Sequence, residues 1–121
     1  MARIVISDND RINTLIPKMA YEKAGHEVNT FNNGQEALEH IVQNGADIVI
    51  TDLDMPIMDG VELLRSIKDP KIKKVLSSGA YSTLEELEKE YGKVECDLYF
   101  EKPIKLEDYS GKILNLIREQ K

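Results

Sequence analysis

Four short polar groups recur along the chain, each directly behind an apolar run. Arg3-Ile4-Val5-Ile6-Ser7 leads into Asp8-Asn9-Asp10, and Ile48-Val49-Ile50-Thr51 leads into Asp52, with Asp54 two residues on. The run from Ile72 ends in Ser78-Gly79, and the run from Asp97 to Glu101 ends in Lys102-Pro103. Brought together, these residues supply carboxylates, a hydroxyl and an ammonium. Clustered carboxylates raise one another's pKa unless a cation joins them, and hard oxygen ligands on a partly hydrated edge suit Mg²⁺. Such a set fits phosphoryl transfer, which asks mainly for positioning and for cancellation of charge on the moving group's oxygens. Asp52 is then the nucleophile, Mg²⁺ bridges it to the incoming group, Lys102 holds a second oxygen and Ser78 a third.

These groups meet only if the apolar runs are neighbouring parallel strands. Between the runs, apolar residues recur at helical spacing. Ile12, Leu15, Ile16, Met19 and Ala20 make one stripe that ends at Gly25, and a second strand is expected over 26–31. Asn33, with Glu36 reaching back, reads as a capping box opening a helix with Ala37, Leu38, Ile41 and Val42 on one side. A third strand is expected over 46–51. Asp59 and Glu62 make a second box, with Val61, Leu64 and Ile67 inward and Asp69-Pro70 closing the helix. Ser82 and Glu85 make a third, followed by Leu84, Leu87 and Tyr91 before Gly92; a last helix is expected over 106–118. Pro17 falls where the first helix should be under way. An interior proline costs about 3 kcal/mol, so a late start capped by Thr14 is expected. Strand and helix thus alternate five times, which demands parallel strands joined by right-handed crossovers. Runs that are apolar on successive residues suit strands covered on both faces. The expected fold is an open, doubly wound α/β sheet, whose ligands sit beyond the carboxyl ends of its strands.

Composition narrows the function classes. At 121 residues, 41% hydrophobic and 31% charged, the chain reads as a single domain over 1–121. Its net charge of −6 argues against a nucleic-acid binder, which normally presents a basic face. Cys96 is the one cysteine, which excludes a disulfide framework and fits a reducing, cytoplasmic setting. No apolar run approaches membrane-spanning length, and no signal peptide precedes the first strand.

Asp8-Asn9-Asp10 after Ile4-Val5-Ile6, Asp52 with Met55-Pro56-Ile57-Met58-Asp59-Gly60, Ser78-Gly79, and Tyr99-Phe100-Glu101-Lys102-Pro103 together resemble the response-regulator receiver domain. The resemblance covers the whole chain, and the stretch from Asp52 to Gly60 is its most specific part. It implies a flavodoxin-like, five-stranded sheet in the order 2-1-3-4-5 with five helices. It implies that Asp52 accepts a phosphoryl group from a phosphohistidine on a sensor histidine kinase or phosphotransfer protein. Asp8, Asp52 and the backbone carbonyl of Asp54 would hold Mg²⁺, Ser78 and Lys102 would contact the phosphoryl group, and Tyr99 would be the switch aromatic. The face from the fourth helix to the fifth would meet an unnamed downstream protein. Asn9 departs from the family, which usually has an acid there. An amide oxygen can ligate Mg²⁺ but brings no charge, so weaker metal binding is expected unless Asp10 compensates. With nothing beyond the last helix, a stand-alone receiver of the chemotaxis or sporulation-relay type is expected. It would be no enzyme beyond its own phosphoryl transfer and slow self-dephosphorylation.

Taken singly, each residue has a plainer role. Asp8 or Asp10 alone reads as a helix cap, as does Asp59; Ser78 alone is a turn hydroxyl, Lys102 alone a solvated charge, and Tyr99 alone a half-buried strand aromatic. Convergence on one sheet edge is what favours chemistry. His26 and His40 lack partners at metal-ligand spacing and read as surface residues, and Cys96 as packed rather than reactive. Lys68, Lys71, Lys73 and Lys74 fall at the amino end of the fourth strand as a solvated face, and Glu85 to Glu90 as an acidic helix face. Two other functions compete. Asp52-Leu53-Asp54 resembles the nucleophile motif of haloacid dehalogenase-type phosphatases, although Met55-Pro56 departs from it. Alternatively, the chain is a phosphorylation-independent, receiver-like binding module, a reading to which Asn9 lends weight.

Overall fold

β-Branched residues crowd the strands that begin at Arg3 and Ile48, and the alternation of side chains decides how the layers stack. In the computed structural model, which describes residues 1–118, the strands are β1 (Arg3–Ser7), β2 (Glu27–Phe31), β3 (Ile48–Asp52), β4 (Lys73–Ser78) and β5 (Leu98–Glu101). They form one sheet in the order β2-β1-β3-β4-β5, every pair parallel. Helices α1 (Arg11–Lys23), α2 (Gly34–Asn44), α3 (Gly60–Ser66) and α4 (Leu84–Tyr91) connect them, and α5 spans 106–118. Side chains alternate across a strand, so Val5, Val49 and Leu76 join one core with Ala37, Leu63 and Leu87, while Ile4, Ile6, Ile50 and Val75 join another with Tyr21, Ile113 and Ile117. Both faces are therefore apolar, as a parallel sheet under two helical layers requires. The chain leaves β1 outward to β2 and then returns to β3. The switch point thus lies between β1 and β3, with Asp8 and Asp52 on either side of it.

Helix starts follow the caps. Asp59 accepts from Glu62 N–H at 2.8 Å, and Glu62 returns the bond to Asp59 N–H at 3.4 Å, so this box is complete. Asn33 accepts from Glu36 N–H at 2.9 Å, but Glu36 reaches the Asn33 side-chain amide at 2.6 Å rather than its backbone. The third expected box is instead a single cap one residue later. Thr83, not Ser82, is the cap, and it accepts from Glu86 N–H at 3.2 Å.

α1 departs most from expectation. Asp10, not Thr14, is its cap, accepting from Ile12 N–H at 3.0 Å, so Pro17 lies inside the helix. The buried positions are Thr14, Pro17 and Tyr21, one helical face at i, i+3 and i+7. Thr14 goes inward without an orphaned hydroxyl because it donates to the Arg11 carbonyl at 2.8 Å. Tyr21 donates to the Tyr109 carbonyl at 2.8 Å, where α5 widens into a π-helical turn over Tyr109–Ile113. That bond and the Asp10 cap set the rotation of α1. Ile12, Leu15, Ile16 and Met19, the expected apolar stripe, point outward at 70, 52, 52 and 62% exposure. Among the described residues, no helix is long and apolar enough to cross a membrane.

Candidate functional site

Three of the expected residues meet directly at the carboxyl edge of the sheet. β1 delivers Asp8, β3 ends on Asp52, and the turn after β5 carries Lys102. Lys102 Nζ lies 2.7 Å from Asp8 Oδ2 and 3.2 Å from Asp52 Oδ1. Asp8 Oδ1 also accepts from Asp10 N–H at 2.8 Å, which fixes the turn into α1. Both aspartates are only 6% exposed, yet they line a groove of about 380 Å³ whose walls include Ile12, Ile16, Ile104 and Tyr109. The Asp52 carboxyl is therefore held among protein atoms and still reached from outside.

Two buried carboxylates share one ammonium, and that leaves negative charge uncompensated. Burial, followed by repulsion from Asp8, raises the pKa of Asp52 above 3.8, and Lys102 only partly offsets this. For Lys102, burial alone would lower the pKa, but the bonds to Asp8 and Asp52 outweigh it and the pKa is raised. The donor set fits a hard cation, since an added positive charge relieves the Asp8–Asp52 repulsion. Among the described residues no three acidic, histidine or cysteine side chains converge, so a cation here would rest on two carboxylates completed by carbonyl oxygens.

The remaining expected residues fall around this centre. Ser78 is fully buried and its hydroxyl accepts from Ala80 N–H at 3.0 Å; burial pushes the Tyr99 pKa up, and the Ser78 hydroxyl opposes that push. Lys102 N–H donates to the Ser78 carbonyl at 2.9 Å, which ties the lysine turn to β4. Tyr99 donates to the Tyr81 carbonyl at 2.5 Å. Asn9 and Asp54 lie together on a second, wider groove with Met55, Pro56, Asp59 and Tyr91. Asp10 is taken up as the α1 cap.

Two glycines pin the loop after β3. A Cβ on Gly60 would lie 2.2 Å from the Asp52 carbonyl oxygen, and one on Gly34 2.5 Å from the Met58 carbonyl oxygen. Their N–H groups donate to Leu53 and Met58 carbonyls at 2.9 and 3.0 Å. Between them Ile57 has φ 72°, a left-handed conformation that costs a β-branched residue about 1–2 kcal/mol. The plainer readings also have their places. His26 is not free, since its Nδ1 accepts from Ala2 N–H at 3.0 Å; His40 packs against Phe31 with ring centroids 5.2 Å apart. Burial pushes the Cys96 thiol up to about 11, which keeps it protonated and unreactive.

Sequence reasoning missed Thr51, Tyr81 and Tyr109. The Thr51 hydroxyl accepts from Ser7 at 2.7 Å and donates to the Asp52 carbonyl at 3.0 Å, which steadies the end of β3. The Tyr109 phenol is pushed up to about 12, by burial and then by Asp8. Its separation in sequence from Asp8, the group it feels, left no signal.

Comparison with known proteins agrees with this fold. Residues 4–114 match the family described as the response regulator receiver domain. The response regulator receiver protein CpdR of Brucella abortus is 36% identical over 81 residues, 65% of this chain and 68% of that protein. A probable histidine kinase of Oryza sativa is 33% identical over 67 residues, 55% of this chain but 7% of the kinase, so the chain corresponds to a small part of that relative. A CheY-like receiver domain from Methanospirillum hungatei superposes with a TM-score of 0.84 at 30% identity, covering 99% of this chain and 96% of that one.

Proposed function

Because the chain belongs to the response regulator receiver domain family, the signalling module of two-component systems, we propose that its Asp52 is a phosphoacceptor. The donor is a phosphohistidine on a sensor histidine kinase or phosphotransfer protein. The observation that carries this reading is the Lys102 ammonium set between two buried carboxylates at the switch point of the sheet.

In the transfer, an Asp52 carboxylate oxygen attacks phosphorus as the bond from phosphorus to the histidine nitrogen breaks, and its electron pair returns to the imidazole. Lys102 is already within reach of Asp52 and pairs with a phosphoryl oxygen as Asp52 loses its carboxylate charge. The Ser78 hydroxyl turns to donate to another oxygen, and Tyr99 responds to that movement. Asp8, Asp52 and the Asp54 carbonyl would hold Mg²⁺, which when bound offsets the negative charge gathered around phosphorus. Asn9 leaves that site one charge poorer than an aspartate would, so Asn9→Asp should tighten Mg²⁺ binding. The outward apolar residues of α1 flank the groove that leads to Asp52 and offer a donor protein a surface to seat on. A downstream protein would read the face from α4 to α5. The chain would turn over no separate substrate.

Intact mass after treatment with acetyl phosphate, with and without Mg²⁺, tests this. One phosphoryl group should add in the presence of Mg²⁺ and none in Asp52→Asn. Absence of an adduct in the parent chain would favour a phosphorylation-independent module, whereas steady release of phosphate from a simple phosphomonoester would favour a dehalogenase-type phosphatase.

A further inference from the structure

Hydrogen bonding continues outward from Tyr99 through a residue that sequence reasoning passed over. The Tyr99 phenol donates to the Tyr81 carbonyl at 2.5 Å, and the Tyr81 phenol donates to Glu90 Oε2 at 2.7 Å. Tyr81 is thus held by its backbone to β5 and by its side chain to the far end of α4. Its ring stands edge-on to Tyr91, with centroids 6.3 Å apart.

We propose that Tyr81 is a positioning residue that makes α4 follow the Ser78 loop. The proposal rests on the reading of Asp52 as phosphoacceptor and names the route by which an event there reaches the outer face. α4 is suited to being moved, since Leu87 is its one buried residue. Gly79 and Ala80 are exposed and have too little side chain to pull on anything. Tyr81 spans the distance. When Ser78 turns to a phosphoryl oxygen, its hold on Ala80 N–H loosens and the loop shifts, while Tyr99 keeps its own bond to the Tyr81 carbonyl. A shift of Tyr99 therefore carries Tyr81 with it, and the bond between phenol and carboxylate carries Glu90 and α4. That bond is charge-assisted, the stronger kind, and it holds the Tyr81 proton firmly enough to push its pKa up to about 12.

The test uses the full chain with Mg²⁺ and beryllofluoride as the phosphoryl mimic, read by amide resonances of residues 84–91. Tyr81→Phe removes only the hydroxyl, Glu90→Ala removes the acceptor, and Glu90→Gln keeps an acceptor oxygen. The α4 shifts seen in the parent should shrink by about threefold or more in Tyr81→Phe and Glu90→Ala, as loss of a single hydrogen bond allows. They should largely survive in Glu90→Gln, and the acetyl phosphate adduct on Asp52 should form in every variant. A full α4 response in Tyr81→Phe overturns the proposal. If the parent itself takes neither beryllofluoride nor a phosphoryl group, it is the Asp52 reading that fails. The link is then judged in the untreated chain, where amide exchange over residues 79–83 should rise by about threefold in Tyr81→Phe but not in Glu90→Gln; equal exchange in both refutes the link as well.

Discussion

The two edges of the sheet are both rich in charge and differ in what the charges face. At the amino edge Asp47 accepts from Arg3 N–H at 2.7 Å, and Asp97 from Lys74 N–H at 2.8 Å. Arg65 donates to the Tyr91 and Lys93 carbonyls at 2.5 and 3.0 Å, beyond the last turn of α4. Lys68 and Lys74 donate to the Arg65 and Ile67 carbonyls at 3.0 and 3.2 Å, at the end of α3. Each of these charges answers a backbone group left over where a strand begins or a helix ends, mostly in contact with water. At the carboxyl edge Asp8, Asp52 and Lys102 answer one another, largely buried. Numbers of charges therefore do not mark a site. Like charges buried together beside a single ammonium do.

The sharpest way to break this contrast is Lys102→Ala. Removing one member of a fully buried pair costs about 3–5 kcal/mol; the Lys102 side chain is 21% exposed, so a loss of about 2 kcal/mol is expected in urea unfolding. Mg²⁺ should then restore more stability to the variant than it adds to the parent, by linkage to binding. An unchanged midpoint with no Mg²⁺ response would remove the distinction between the edges.

Asp52→Asn should act in the opposite sense. Its folded pKa is raised above 3.8, so the folded chain holds its proton more tightly than the unfolded chain, and stability falls as pH rises through that window. The variant should melt above the parent at pH 7, with the difference closing as pH falls toward 3.8. A variant that melts lower at pH 7 would mean that Lys102 outweighs both burial and Asp8.

At the amino edge the effects should be smaller. Asp97→Ala leaves Lys74 N–H to water and should cost up to about 1 kcal/mol. Lys68→Ala should fall within about 0.5 kcal/mol of the parent. If either matched Lys102→Ala, exposure would not be what separates the two edges.

Much of this architecture is legible in the order of residues alone. The continuous apolar runs name the strands, because a sheet covered on both faces leaves no polar alternation to confuse them. The box at Asp59 and Glu62 is legible for the same kind of reason, as its two bonds join neighbours in sequence. α1 is not. Which of its faces turns inward depends on the bond from Tyr21 to the Tyr109 carbonyl, made across 88 residues, and on Thr14 satisfying its own hydroxyl on the preceding turn. The one-residue shift from Ser82 to Thr83 reflects two hydroxyl residues side by side, each with a glutamate three positions on. Asp8, Asp52 and Lys102 come together as expected because each ends a strand or follows one directly. Tyr81 and Tyr109 follow no such rule, and their roles depend on how the loops settle around them.

Gly34 and Gly60 carry a consequence for how this chain can change. Wherever codons 34 and 60 are randomised and folded survivors are sequenced, both columns should return a single letter, since any methyl group would press against a neighbouring main chain. Codon 57 lies within three positions of one of them and should drift freely, with asparagine and glycine gaining ground over isoleucine. The acidic turn would then be inherited as a frame with two immovable hinge pins and one loose screw.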